Sequence, residues 1–391
     1  MDMFGHANIE AIKTQYISKI GQQVQPTYDE AVNALEQHFE RYEDWTPLVI
    51  MPKILRIVTQ TVGRSVVGKE ICRRSEWIDA VISYSTNVFM AATYLKMVPI
   101  IMRPLVALLT PYIYRIHLSR YRIRKLIAPA ILQQVACRAD QQTLWNTGEK
   151  DEELHTLDWL VSLSSPEEAT VEMISHRLTG VSFGSTHTVS SHITNCVIDL
   201  AANFDCLADS LREEINEVLG HNPIDISNAD LSKMWKLDSF MKEVQRFHPP
   251  SKLSVNRKLM TDLTLSSGDV LPKNAHVSFA GVPMSMSEEY FEDAKRFDAF
   301  RFERMRRDPT VDHNGLQFTS SNEGSLHFGH GKQMCPGRFL AGLISKIVII
   351  QLLLRYDIKL RQGEERPQNL IFMDMDIPDP ACQIVFRDRR T

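Results

Sequence analysis

Phe328–Arg338 reads FGHGKQMCPGR, and the rest of the chain is organised around it. One cysteine, Cys335, sits in a short loop between Gly331 and Gly337. The apolar run Arg338–Arg355, RFLAGLISKIVIIQLLLR, follows directly. That run is apolar almost all round and predicts a buried helix. Glycines let backbone pass close to a flat group, and a thiolate at the start of a helix gains from its N–H groups and dipole. Such a loop suits a single sulfur ligand for iron in a planar macrocycle. The bland alternative is a structural cysteine beside a turn, since free cysteine is among the most buried residue types.

Working outward, the 391 residues are 43% hydrophobic and 24% charged with a formal net charge of −4, values of a globular protein. The slightly acidic balance gives no footing for nucleic acid. Six cysteines show no close pairing and suit a reducing compartment. With no Gly/Ser linker and no repeat, residues 1–391 are expected to form one domain. The opening MDMFGHANIEAIKTQ is amphipathic and carries neither a signal peptide nor a membrane span.

Periodicity predicts helices over 7–21, 25–43, 48–66, 75–94, 166–198, 204–219, 230–248 and 338–355. Residues 97–114, MVPIIMRPLVALLTPYIY, are apolar but broken by Arg103 and three prolines, too interrupted to span a membrane. They read either as core packing under a loop or as an exposed greasy surface. A basic helix with Arg115, Arg120, Arg122, Arg124 and Lys125 follows, then a polar surface loop over 139–153. Residues 251–279 alternate as a small antiparallel sheet, and 357–389 as a closing hairpin. Within 166–198 the stretch GVSFGSTHTVSSHI is unusual, because small and hydroxyl residues lower helix propensity. It makes sense where a helix crosses above a cofactor face. In MKEVQRFHPP, Glu243 and Arg246 share one helix face, which on a surface would mean little.

Taken together, these motifs resemble the cytochrome P-450 monooxygenases. Phe328, Gly331, Cys335 and Gly337 occupy the four fixed places of that family's haem-ligand signature. The resemblance implies a mainly α fold with minor β, haem b with Cys335 as axial ligand, and a cofactor cradle that includes Arg338 and Arg257. Gln333 stands where relatives often carry His or Arg against a haem propionate; it can donate a hydrogen bond but brings no charge. Lys13 takes a plausible place at a haem edge, with a solvated lysine as the alternative. Gly184 and Ser185 match the family's small pair, His187 stands where an acid is usual, and Thr188 matches the proton-delivering threonine. Imidazole passes protons near neutral pH, and a hydrogen-bonded core histidine is the alternative. Glu243, Arg246 and Arg301 match a buried structural triad, with Ala299 replacing a common proline.

The resemblance further implies oxidation of a hydrophobic small molecule with O2 and electrons from an NADPH–cytochrome P-450 reductase. No dinucleotide fingerprint is present in the chain itself. The look is closest to fungal members that oxidise terpenoids or other secondary metabolites. Relatives usually begin with a membrane anchor and a β-rich region ahead of the point where this sequence starts, so the resemblance implies either an N-terminally truncated form or a gene start placed late. Residues 97–114 and the basic helix imply peripheral contact with a membrane, on the cytosolic face of the endoplasmic reticulum or from the cytoplasm. Two rivals stand beside this reading: an inactive haem-binding relic, and a haem-thiolate isomerase or dehydratase needing no external electrons.

Overall fold

The computed structural model describes residues 11–140, 154–220 and 225–389. The part of the expected 7–21 helix that lies within them is a short π turn, Ala11–Tyr16. Helix α1, Ile20–His38, follows it. Next comes a strand the sequence did not announce, β1, Thr46–Val49. Trp45-Thr46-Pro47 reads as a helix preamble, yet it pairs antiparallel with β9, Gln383–Asp388, with Thr46 opposite Phe386. Pro47 is tolerated because β1 is the edge of the sheet β1-β9-β6, where β6 is Tyr356–Lys359.

Helices α2, Ile50–Val67, and α3, Ser75–Lys96, lead to the apolar segment. That segment is a 3-10 turn, Ile100–Met102, and the short helix α4, Arg103–Leu109. Ile100, Ile101 and Leu108 are 76%, 89% and 84% exposed, so core packing is not their role. Helix α5, Pro111–Asp140, carries the basic residues, of which Arg115, Arg122 and Lys125 are exposed. The expected polar loop over 139–153 falls, from residue 141, outside the described residues. Helix α6, Thr156–Leu163, precedes the central helix α7, Val171–Ala202.

Thr170 caps α7: its Oγ1 accepts from the Met173 N–H at 3.2 Å, and Glu172 meets the positive end of the helix dipole. The hydroxyls that weaken propensity are absorbed by the helix itself. Ser182, Thr186, Ser190 and Thr194 each donate to the carbonyl four residues back, at 2.6–3.0 Å. The helix can therefore run buried through the core, packed against α2, α3 and α5. Helix α8 is Phe204–Leu219. The expected helix over 230–248 is broken at Met234 into α9, Asn228–Lys233, and α10, Trp235–Phe247. A capping box of Ser227 and Asp230 starts the first of these.

The β-rich section forms two antiparallel pairs. Strand β2, Ser254–Lys258, pairs with β5, His276–Phe279, and β3, Leu263–Thr264, with β4, Val270–Leu271. Helix α11, Arg301–Arg307, precedes the cysteine loop, and α12, Arg338–Arg355, follows it with the expected bounds. Ile344, Ile347, Val348, Ile350 and Leu353 of α12 are fully buried, each worth about 1.5–3 kcal/mol by transfer from water. The tail is not one hairpin. Strands β6 and β9 pair with each other, and between them lies a second pair, β7, Leu370–Phe372, with β8, Met375–Ile377.

Candidate active site

The cysteine loop is shaped by two left-handed glycines, Gly329 at φ 76° and Gly331 at φ 68°. The Cys335 N–H donates to Phe328 O at 2.8 Å and the Met334 N–H to Gly331 O at 3.0 Å, folding the segment over a 3-10 turn, Gly331–Gln333. The sulfur stands three residues before α12 begins. Burial pushes its thiol up, while the backbone N–H groups of Gly337 and Arg338 and the Arg338 charge pull it back down. Arg338 also donates from Nη1 to Cys335 O at 3.0 Å, bracing the turn from behind. Gln333 is exposed at the loop rim, and Lys13 reaches the same loop, donating from Nζ to Lys332 O at 3.0 Å.

Opposite in sequence, α7 is buried along most of its length but opens at Gly184 and Thr188, both exposed and one turn apart. Thr188 Oγ1 donates to Gly184 O at 2.8 Å. His187 turns toward the roof instead, its Nε2 3.3 Å from Thr86 Oγ1 on α3, and burial lowers its pKa so that the ring stays neutral. One turn beyond Thr188, His192 stacks on Phe318 at 4.7 Å between centroids, and Phe318 meets Phe328 edge-on at 5.4 Å. This aromatic chain ties the open stretch of α7 to the first residue of the cysteine loop.

The acidic and basic residues behind the loop form a closed cluster. Arg246 grips Glu243 in bidentate fashion, with Nη2–Oε1 2.7 Å and Nε–Oε2 2.9 Å, while Arg301 Nε lies 3.3 Å from the same Oε1. The Asp298 N–H adds a fourth donor at 3.0 Å. Glu243 and Arg246 are 0% and 1% exposed, so this is no surface i,i+3 pair. The guanidinium of Arg246 also donates to Ser285 O and Ala294 O, and that of Arg301 to Asp293 O and Arg296 O. Arg257, half-buried on β2, donates to Asn256 O at 2.9 Å. Near it, Val255 sits at φ 53° in a bulge of the β2–β5 pair, a strained conformation for a β-branched residue.

Several buried polar groups escape sequence reasoning. Asp238 on α10 holds Lys346 of α12 at 2.7 Å, Arg306 of α11, and the Phe318 N–H at 2.9 Å. Lys242, one turn on, is buried as well. Asp199 of α7 meets Arg366 of the tail, and His248 Nε2 lies 3.5 Å from it. The i,i+4 spacing of Asp238 and Lys242 was the one available signal, and it normally marks an exposed pair.

This arrangement fits a haem. A lone sulfur with two backbone donors suits one axial thiolate, and a Cβ built at Gly331 or Gly337 meets nothing within 4 Å, leaving room for a flat group.

Comparison with known proteins agrees. The cytochrome P-450 family model matches residues 10–385. The cytochrome P-450 monooxygenase AN1598 of Emericella nidulans is 33% identical over 97% of this chain and 70% of its own length. The monooxygenase olcJ of Penicillium canescens is 31% identical over 98% and 71%. Among solved structures, retinoic acid-bound cyanobacterial CYP120A1 aligns with a TM-score of 0.69 at 17% identity, covering 98% of this chain and 78% of that one.

Proposed function

The chain belongs to the cytochrome P-450 family, and from that premise we propose that Cys335 gives the iron of its haem cofactor its single protein ligand. The protein is a cytochrome P-450 monooxygenase. When bound, haem supplies the reductive activation of O2 and the transfer of one oxygen atom to carbon. The chain's residues do the rest. Backbone N–H groups of Gly337 and Arg338 hold charge on the sulfur. Thr188 holds and releases a proton at Oγ1 beside the opening in α7. His187, neutral and bonded to Thr86, fixes the roof helix over that opening. Arg257, Arg338, Lys13 and Gln333 edge the cofactor, and Phe328 with the two loop glycines sets how close the backbone comes. Glu243, Arg246 and Arg301 keep the approach to the loop rigid, and residues 1–391 act as one domain.

The substrate we propose is a hydrophobic fungal secondary metabolite, terpenoids included. The fungal sources of the similar monooxygenases support it, as do apolar Leu253, Leu370 and Met373, exposed on the segments joined by the Ser251–Met375 bridge. Electrons come from a separate NADPH-dependent flavin reductase. The exposed apolar surface around α4 rests on the cytosolic face of a membrane; no described helix is long and apolar enough to cross one.

One observation carries the catalytic reading: between its two ends, α7 is exposed at Gly184 and Thr188 alone. The test is the reduced, carbon monoxide-bound spectrum. The wild-type chain gives the thiolate band and Cys335→Ser loses it; an unchanged spectrum and turnover in Cys335→Ser refutes the proposal.

A further inference from the structure

Lys242 immediately precedes Glu243 on α10 and is 1% exposed. Its Nζ donates to Gln317 O at 2.9 Å and Ser320 O at 3.1 Å, and lies 3.4 Å from Ser325 Oγ. The ammonium also stands 5.3 Å from the centroid of the Phe302 ring. Three oxygens for three N–H donors is a filled coordination. All three belong to a single loop, residues 317–325, which leads into the cysteine loop.

Among the described residues no carboxylate directly neutralises the charge. Asp238, one turn back, is committed to Lys346, Arg306 and the Phe318 N–H. Burial, with Arg306 adding to it and Asp238 opposing it, brings Lys242 down to about 7. Burying an ammonium is costly unless its hydrogen bonds are met, and among the described residues that loop meets them.

From the loop the connections continue. Ser321 Oγ lies 2.7 Å from Gly329 O and 2.9 Å from Ser325 O, sharing its one proton between the two strands of the turn. Phe318 packs edge-on against Phe328, and Phe328 O accepts the Cys335 N–H. A path of contacts therefore runs from Lys242 through residues 317–325 and Gly329 to the backbone that presents the sulfur.

We infer that Lys242 is a positioning residue for the thiolate: its ammonium anchors loop 317–325, and through Ser321 and Phe318 that loop fixes the turn holding Cys335. The inference rests on the assignment of Cys335 as the iron ligand.

The test uses the holoenzyme. Lys242→Met keeps the length and apolar stem of the side chain and removes all three donors. In the reduced, carbon monoxide-bound form, part of the thiolate band shifts to that of a displaced thiolate. Haem transfer to apomyoglobin quickens about tenfold, the order expected for losing charged hydrogen bonds. Both are read at a temperature below the melting transition measured for each variant, so that unfolded chain contributes to neither. Ethylammonium added to Lys242→Ala restores the thiolate fraction, as a merely packed side chain would not allow. Ser321→Ala leaves Lys242 and Phe302 in place and cuts the link to Gly329; it reproduces part of the shift, and it decides the matter if the Lys242 variants fail to fold. Wild-type thiolate fraction and haem transfer in every variant that folds, Ser321→Ala among them, overturn the inference. A wild-type chain with no thiolate band instead overturns the Cys335 assignment beneath it.

Discussion

Consider replacing Glu243 by glutamine. The carboxylate accepts two N–H bonds from Arg246, one from Arg301 and one from the Asp298 backbone, with both arginines buried. Glutamine keeps the shape, but its amide NH2 faces a guanidinium that can only donate. Two buried cations then lose their shared anion, at a cost of about 3–5 kcal/mol. The unfolding entropy of 391 residues is roughly 0.8 kcal/mol/K at about 2.1 cal/mol/K per residue. The loss therefore lowers the melting temperature by roughly 4–6 °C. Calorimetry of the holoenzyme measures it, with Asp79→Asn as control. Asp79 pairs with Arg56 at 2.7 Å but is 61% exposed, so its loss costs under about 1 kcal/mol and moves the melt by about 1 °C or less. A Glu243→Gln melt within 1 °C of wild type refutes the claim that this cluster is a charge-compensated core element.

Thr188→Ala is expected to keep the haem spectrum and to lower product formation about 100-fold, the scale of a lost positioned proton donor; product per NADPH consumed is the measurement, and full activity favours the electron-free isomerase or dehydratase chemistry. Burial holds His192 at about 3, so the folded ring stays neutral while the unfolded chain takes up a proton below its ordinary 6.5. Its folded pKa lies under its unfolded one, so its stabilising share is present above 6.5 and is lost as pH falls toward 3, by up to about 1.4 kcal/mol per pH unit. Asp199, pushed from 3.8 up to about 6 by burial, acts in the opposite sense below pH 6, so the reading is the difference: His192→Phe, which keeps the stack on Phe318, flattens the acid limb of denaturant unfolding relative to wild type. Ile101→Asp with Leu108→Asp is expected to weaken binding to anionic lipid vesicles by at least about tenfold; flotation with unchanged recovery removes α4 from the membrane contact.

How much of this was legible in the sequence follows from the range of the forces involved. Helix α12 has its bounds written locally, between Gly337 and a β-rich tail, with apolar residues on every side. Strand β1 does not, because Pro47 reads as a breaker until the edge position supplied by β9 makes it harmless. At the break at Met234 the Glu214 carboxylate accepts the Lys236 and Leu237 N–H groups that open α10, a partner from another helix, while periodicity runs straight through it. Cys335, Thr188 and the Glu243–Arg246 pair were visible as patterns, but not that Thr188 is exposed where α7 opens or that Cys335 is half-buried. His187 was placed by pattern at the acid position, and only the fold reveals that its ring reaches Thr86. The burial of Lys242 and Asp238 was hidden for a deeper reason. Their hydrogen-bond and ion-pair partners lie between 68 and 108 residues away in sequence, where no spacing rule reaches.

The hydroxyl run of α7 shows how one helix can be core and, on the proposed reading, also wall the site. Ser182, Thr186, Ser190 and Thr194 each return the proton to the carbonyl four residues earlier, so none of the four is left as an unsatisfied polar group. Thr188 makes the same bond to Gly184 O but does so at the opening. That carbonyl already receives the helix's own N–H from residue 188, so the hydroxyl bond is a second one on the same acceptor. Redirecting the Thr188 proton then costs about 0.5–1.5 kcal/mol and unpairs no backbone group. At Thr186 or Ser190 the same rotation would bury an unmet hydroxyl among side chains. The role proposed for Thr188 therefore depends on glycine at 184, which keeps that turn of the helix bare.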